Sequence, residues 1–194
     1  MNIINFLRKA LGAAAKTGAS GNESSWFHLC KFTLRGRQLQ MVELRIVGGK
    51  HEEDSVAIPA APGAYSVECR TMSYGSDRRI SRMRVYPTGA STTVGRELGT
   101  VDVDWGGIAI TDVDVLAPSV NDHMDEYSRW FDQDVFGKHD EPAGVLRWIP
   151  AGTDIPYADG GFGDGTYPVY ELVNNEMAIG LEVVFISPDE KYPF

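Results

Sequence analysis

From Trp26 onward the sequence is divided into short runs of β-branched and aromatic residues, which end at glycine, proline or asparagine. Runs of about four to eight residues with apolar side chains at alternate positions are typical of strands that bury one face. Pairs such as Gly106-Gly107 and Asn174-Asn175 tolerate the positive φ angles of tight hairpin loops. The pattern therefore predicts one mainly β (α+β) domain over residues 26–194, folded as an antiparallel β-sandwich or as highly twisted sheets.

One segment interrupts the strand pattern. After Ser119, a residue suited to an N-cap, apolar side chains recur at helical spacing as far as Phe136. Asp122, Asp125 and Glu126 fall in the early turns, where carboxylates complement the helix dipole. The spacing predicts one helix over about 119–136 that covers a face of the sheet. The strands, about ten in number, are predicted at 27–34, 39–47, 55–58, 64–72, 80–86, 100–105, 108–116, 145–149, 167–173 and 177–186.

Residues 1–16 place apolar side chains at helical spacing and keep Arg8, Lys9 and Lys16 off that stripe. This predicts a short amphipathic helix, which packs on its own domain or docks on a partner or membrane surface. Residues 17–25 are rich in glycine and serine and are predicted to be a linker. Arg8 and Lys9 interrupt the apolar run that a secretory signal needs, and no later run approaches the ~20 apolar residues of a membrane span. We therefore expect a cytoplasmic protein.

The charge balance is acidic, because 18 Lys and Arg against 27 Asp and Glu give a formal net charge of −9. A field of that sign repels phosphate backbones and anionic lipids, which argues against nucleic acid as a partner, whereas it attracts basic proteins. Cys30 and Cys69 fall on predicted strands without companions at metal-ligand spacing. They indicate buried thiols in a reducing compartment, with a disulfide as the lesser alternative.

Aspartates are concentrated on both sides of the Gly106-Gly107 pair. If residues 101–115 form a hairpin, strand alternation places four carboxylates on one face, those of Asp102, Asp104, Asp112 and Asp114. Like charges across a ladder repel each other, so we expect a neutralising group. A basic protein partner or a divalent cation would serve. The interpretation favoured by the sequence is internal pairing with an arginine-rich strand that carries Arg78, Arg79, Arg82 and Arg84.

Four glycines between residues 160 and 165 predict a loop that opens into a strand. Asp164 is expected to hold this turn by accepting hydrogen bonds from neighbouring N–H groups. As an alternative function, the loop would cover a small-molecule-binding or hydrolytic pocket lined by Tyr157, Phe162 and Tyr167. The chain carries no G-x-S-x-G or H-E-x-x-H pattern, so the sequence predicts no catalytic residue, no metal and no other cofactor.

Four segments together resemble an uncharacterised bacterial family, domain of unknown function 4241. They are a P-G-x-Y-x-V segment at 62–67, an arginine-rich strand at 78–84, a Gly/Asp segment at 99–112 and a closing G-x-G-D-G-x-Y-P-V segment at 161–169. The resemblance covers roughly residues 55–186, and Ser66 stands where the family tends to have proline. Members of this family have no established activity and often resemble products encoded beside bacterial toxins. The resemblance therefore implies an immunity or interaction role.

The functional hypothesis is an acidic protein-binding domain, an immunity or antitoxin-like protein that neutralises a basic toxin by occlusion. Carboxylates would steer the encounter and aromatic side chains, Trp130 among them, would slow dissociation. A structural domain of a larger assembly is a further alternative. The predicted partner-binding residues are Asp102, Asp104, Asp112, Asp114, Asp122, Asp125, Glu126, Tyr157, Phe162 and Asp164.

Overall fold

The computed structural model describes residues 21–47, 55–104, 106–135 and 141–190. Within these ranges the chain forms twelve strands in two antiparallel sheets and two α-helices, which confirms the mainly β prediction. The predicted N-terminal helix lies outside the described residues. No helix within these ranges is long and apolar enough to cross a membrane.

The strands are β1 (Asn22–Glu23), β2 (Phe27–Leu34), β3 (Gln38–Glu43), β4 (Ser55–Pro59), β5 (Gly63–Tyr74), β6 (Asp77–Pro87), β7 (Thr93–Val103), β8 (Gly107–Asp112), β9 (Ala143–Trp148), β10 (Thr153–Asp159), β11 (Gly165–Asn174) and β12 (Met177–Val184). The larger sheet has seven strands in the order β1-β5-β6-β12-β11-β7, and β2 follows β1 along the same edge of β5. The smaller sheet has five strands in the order β4-β3-β8-β10-β9.

The main core fills the space between the two sheets. The seven-stranded sheet contributes Phe32 and Met83, and the five-stranded sheet contributes Ile108 and Ile110, all of them at most 1% exposed. A second apolar cluster lies on the opposite face of the five-stranded sheet, around Trp148. Because both of its faces are covered, this sheet buries all six residues of its central strand β8.

Two consecutive helices cover the outer face of the five-stranded sheet. They are α1 (Val113–Asp122) and α2 (Met124–Trp130), and a single π-helical turn, Phe131–Val135, continues α2. The predicted helix start at Ser119 is wrong, because α1 begins six residues earlier and buries Leu116 and Val120. The Val-Asp alternation at 112–115 fits a strand, but Val113, Leu116 and Val120 also fit a helical stripe, and the helix prevails.

The other departures from the predicted strands have local causes. Strand β10 was not predicted, because Pro156 weakens its pattern. In the structure this proline lies opposite Val145 of β9. Farther along β10, Asp159 donates its N–H to the Pro142 carbonyl. β3 ends at Glu43 and a 3₁₀ turn follows. Within the predicted linker, Asn22–Glu23 pairs with β5. The Asn174-Asn175 turn is confirmed between β11 and β12, with positive φ at Asn175 and Glu176.

Candidate interaction surface

The predicted hairpin at Gly106-Gly107 is wrong. β7 pairs with β11 in the seven-stranded sheet, whereas β8 pairs with β3 and β10 in the five-stranded sheet. The chain changes sheets at Gly106, whose φ of +84° is favourable only for glycine. Asp102 and Asp104 therefore do not share a face with Asp112 and Asp114, and the proposed row of four carboxylates does not exist.

Asp112 and Asp114 instead fix the turn between β2 and β3. One carboxylate oxygen of Asp112 accepts the backbone N–H groups of Arg35 and Gly36, at 2.7 and 2.8 Å. Asp114 accepts the N–H of Arg37 at 2.6 Å. A Cβ on Gly36 would collide with the Asp112 carboxylate, so this close approach requires glycine. Asp112 is 1% exposed, and its predicted contact with a partner is therefore wrong.

None of the four arginines of β6 is seen to pair with the predicted aspartate row: Arg82 and Arg84 pair with glutamates, and Arg79 pairs with Asp77 of its own strand. Arg84 makes two hydrogen bonds to Glu68, at 2.9 and 2.6 Å. Arg82 bridges Glu23 and Glu182, at 3.0 and 2.9 Å. The ladder explains this choice, because Arg84 lies opposite Glu68 on β5 and opposite Glu182 on β12.

These pairs form a charged row across the outer face of the seven-stranded sheet. The residues that lie opposite one another from β5 to β7 are, in order, Glu68, Arg84, Glu182, Tyr170 and Glu97. Trp26 covers part of this row, since the guanidinium carbons of Arg84 and Arg70 lie 3.9 and 4.7 Å from its ring centroid. Glu182 is only 1% exposed. The ion pairs of this face join groups of the chain itself, although Glu182 Oε2 and Arg70 Nε are buried without a hydrogen-bond partner among the described residues.

Phe162 and Tyr167, two of the aromatic residues predicted to line a pocket beneath the 161–165 loop, pack against other aromatic side chains. The single Tyr167 hydroxyl proton is shared between the carbonyls of Gly163 and Gly160, which lie 2.5 and 3.2 Å from the oxygen, so this tyrosine holds the turn in the role expected of Asp164. Its ring packs edge-on against Phe185, with centroids 5.2 Å apart. Phe162 packs on Tyr74 at 5.8 Å.

Tyr157 does not join Phe162 and Tyr167. It is 5% exposed and belongs to the apolar cluster on the other side of the five-stranded sheet. Its predicted contact with a partner is therefore wrong as well, and no described contact favours the hydrolytic alternative. Asp164 itself is exposed at the loop.

An aromatic groove of about 300 Å³ lies between α2 and the turn that follows β9. Its floor is Trp148, which is 1% exposed, and Trp130 packs against it with ring centroids 5.3 Å apart. The Trp148 indole N–H donates to the Ser119 hydroxyl at 2.9 Å, which fixes the ring on α1. The groove is lined by Glu126, Arg129, Trp130, Gln133, Trp148, Ile149 and Pro150.

The groove combines an exposed apolar residue with acidic neighbours. Ile149 is 71% exposed at its rim. Of the predicted acidic residues, Glu126 lines the groove, Asp125 precedes it in the first turn of α2, and Asp122 ends α1. All three are exposed. Trp130 was expected as an anchor from the sequence, whereas Ile149 was expected only as the last residue of the strand predicted at 145–149, and its position before Pro150 was the one local signal of exposure.

Burial raises the pKa of several titratable side chains in the described ranges. Burial raises the pKa of the Tyr127 phenol behind the groove. Burial also raises the pKa of the Cys30 thiol to about 11, with a contribution from Asp154, and that of Cys69 to about 12. Both cysteines are free. The described ranges contain no cluster of three or more His, Cys, Asp or Glu side chains arranged to hold a metal ion.

No protein-family model, curated protein or solved structure matches this chain. The resemblance described for residues 55–186 therefore stays a prediction.

Proposed function

We propose that this chain is a cytoplasmic, acidic protein-binding domain of the immunity or antitoxin type, which neutralises a basic toxin by occluding it. One observation carries the proposal: the groove beside α2 presents an exposed isoleucine next to two packed tryptophans, with carboxylates beside it. Binding hot spots have this composition, with a central apolar and aromatic anchor surrounded by polar residues.

The anchor is pre-organised. Trp148 is held by its hydrogen bond to Ser119 and by edge-on contacts with Trp130 and Tyr127, at 5.3 and 5.6 Å between ring centroids. A partner side chain that enters the groove therefore meets rigid rings and loses little affinity to their ordering. Covering the exposed Ile149 would contribute about 2 kcal/mol.

The charge supports a basic partner. Asp122, Asp125, Glu126 and Asp132 are exposed along α1, α2 and the turn that continues them. In our proposal they attract a cationic surface toward the groove, within the Debye length of about 8 Å at physiological salt. Other exposed aspartates of the described ranges, Asp102, Asp104, Asp114, Asp164 and Asp189, add to the field of the −9 chain at longer range.

The test compares three immobilised full-length chains: the natural sequence, Ile149→Asp, and Met177→Asp as a matched control. Met177 is 67% exposed in the β11–β12 hairpin of the other sheet. Each chain is exposed to extract from the cells that naturally produce it, at low and at physiological salt. We expect a basic protein that binds the natural chain and Met177→Asp, loses affinity for Ile149→Asp, and binds more weakly as salt rises.

The same partner is then expressed in a growing culture. We expect it to arrest growth alone, and to be neutralised by the natural chain and by Met177→Asp but not by Ile149→Asp. Retention of the same proteins by all three chains would exclude the groove as the binding surface. A partner whose affinity does not depend on salt would remove the role of the acidic residues.

A further inference from the structure

The sheets end in outer strands, and most of these carry features that prevent pairing with another chain. Exposed strand edges are open to further pairing unless proline, charge or a bulge blocks them. β4 is five residues long and ends at Pro59. β7 shifts register twice against β11 and exposes Arg96 and Glu97. β2 shifts register after His28 and exposes Lys31.

β9 contains no proline and only one charged side chain. It pairs with β10 over all six residues without a register shift. Its Val145 side chain is 44% exposed. Its one charged side chain, Arg147, forms an ion pair with Asp154 on the neighbouring strand, at 2.6 Å. Among the outer strands of the described chain, β9 is thus the one with a regular and partly apolar edge.

The hydrogen-bond pattern shows which backbone groups face outward from β9. The Asp159 N–H donates to the Pro142 carbonyl, so residue 142 faces β10. Because successive residues of an antiparallel strand face opposite neighbours, Gly144 and Leu146 also face β10. The N–H and C=O groups of Ala143, Val145 and Arg147 therefore point away from β10, toward a side where the described chain has no neighbouring strand.

We propose that β9 pairs antiparallel with β9 of a second copy of this chain, about a two-fold axis at Gly144. The two five-stranded sheets would then join into one continuous sheet. An isologous contact of this kind requires a self-complementary surface. β9 meets this requirement in its backbone, because the outward groups of Val145 pair with those of Ala143 of the second copy, and the backbone of Pro142 faces β10, where its missing N–H costs the new ladder nothing.

Charge selects the register. With the axis at Gly144, Arg147 lies opposite Glu141 of the second copy, and the pair occurs twice by symmetry. Both side chains are exposed, and the Arg147 side chain remains 53% accessible beside Asp154. If the axis passed through Val145, Ile149 would lie opposite Glu141 instead, and no cross-strand ion pair would form. This proposal does not rest on the proposed function.

Sedimentation velocity of the full chain over a concentration series tests the proposal. We expect a monomer–dimer equilibrium, with a dissociation constant raised about tenfold by Val145→Lys, because a charge replaces an apolar cross-strand contact at two symmetric positions. Val94→Lys is the matched control, since Val94 is 52% exposed on the outer strand β7. It should leave the equilibrium unchanged.

A charge exchange tests the register. Arg147→Glu and Glu141→Arg should each weaken the dimer, and the two changes together should restore it. A chain that stays monomeric at every concentration measured would overturn the proposal, as would a dimer that Val145→Lys does not affect. A double exchange that fails to restore the dimer would overturn the Gly144 register.

Discussion

The outer face of the seven-stranded sheet carries ion pairs, whereas the outer face of the five-stranded sheet is apolar and lies under two helices. On the first face, Glu182 and Arg82 lie across adjacent strands, and Glu23 reaches Arg82 from β1. On the second face, Tyr157 and Trp148 pack against residues from α1 and α2. The two outer faces are therefore stabilised differently, one by ion pairs between strands and the other by burial of apolar side chains under helices.

The difference bears on where binding takes place. Glu68, Arg82 and Arg84 of the first face already have ion-pair partners, so a new ligand would have to compete with an existing ion pair and would gain little. The second face ends at the margin of α2, where Ile149 remains exposed beside buried rings. The exposed apolar surface suited to binding therefore lies at the edge of the helix-covered face. The following substitutions test this difference between the ion-paired face and the helix-covered face.

The largest effect is expected from Trp148→Ala on the covered face. The side chain is 1% exposed and contacts Trp130 and Tyr127. Its removal leaves a large cavity, so we expect the free energy of unfolding to fall by about 3–5 kcal/mol in urea denaturation. Ile149→Ala is the adjacent control and should change stability by no more than about 0.5 kcal/mol. Equal losses for the two variants would contradict the assignment of Trp148 to the core.

On the charged face, Glu182→Ala removes one partner of a nearly buried ion pair. Arg82 keeps Glu23 but loses the 2.9 Å bond to Glu182. We expect a loss of about 2–3 kcal/mol in the same denaturation experiment. The combined change Glu182→Leu with Arg82→Met should recover most of that loss, since replacing both partners removes the uncompensated charge. A double variant less stable than Glu182→Ala would show that the charges do more than satisfy each other.

A smaller effect is expected from Arg84→Lys. Lysine keeps the charge but loses the two-pronged contact with Glu68 and the planar stack on Trp26, whose centroid lies 3.9 Å from the guanidinium carbon. The expected loss is about 1 kcal/mol. Arg96→Lys is the control, because the Arg96 side chain is 78% exposed, and its urea midpoint should match that of the natural chain. Indistinguishable midpoints for both variants would exclude a structural role for the stack.

The smallest effect is confined to acid pH. Burial alone would raise the pKa of Glu23, but hydrogen bonds from Arg70 and Ser81 and the charge of Arg82 outweigh it and hold that pKa below 4.5. A depressed pKa in the folded state gives stability that is present above 4.5 and is lost as pH falls through the folded value. The urea midpoint of the natural chain should therefore fall more steeply below that pH than the midpoint of Glu23→Gln. Parallel curves would contradict this linkage.

The sequence predicts strands well where local pattern and burial agree. β2 was predicted at residues 27–34 and occurs at Phe27–Leu34, because alternate residues face one continuous core. The strand prediction fails at residues 113–116, where the valines fit a strand and a helix equally well. It also fails at β10, because Pro156 is unusual in a central strand. In both places the neighbouring sheet and helices decide the outcome.

One part of the candidate site also follows from the sequence, and another part does not. The exposure of Asp122, Asp125 and Glu126 follows from a helical stripe that the sequence shows. The separation of Asp102 from Asp112 does not follow from it, because one glycine with positive φ sends the chain to another sheet.

By itself, the sequence determined the class of fold, the acidity and most of the strands, because alternation and charge are properties of neighbouring residues. Only the tertiary structure decided which sheet each strand joins, that Asp112 is buried under a turn, and that Trp148 and Ile149 meet α2 in a groove. These features join residues far apart in the chain. Their energies come from packing and from ion pairs across strands, which no local pattern encodes.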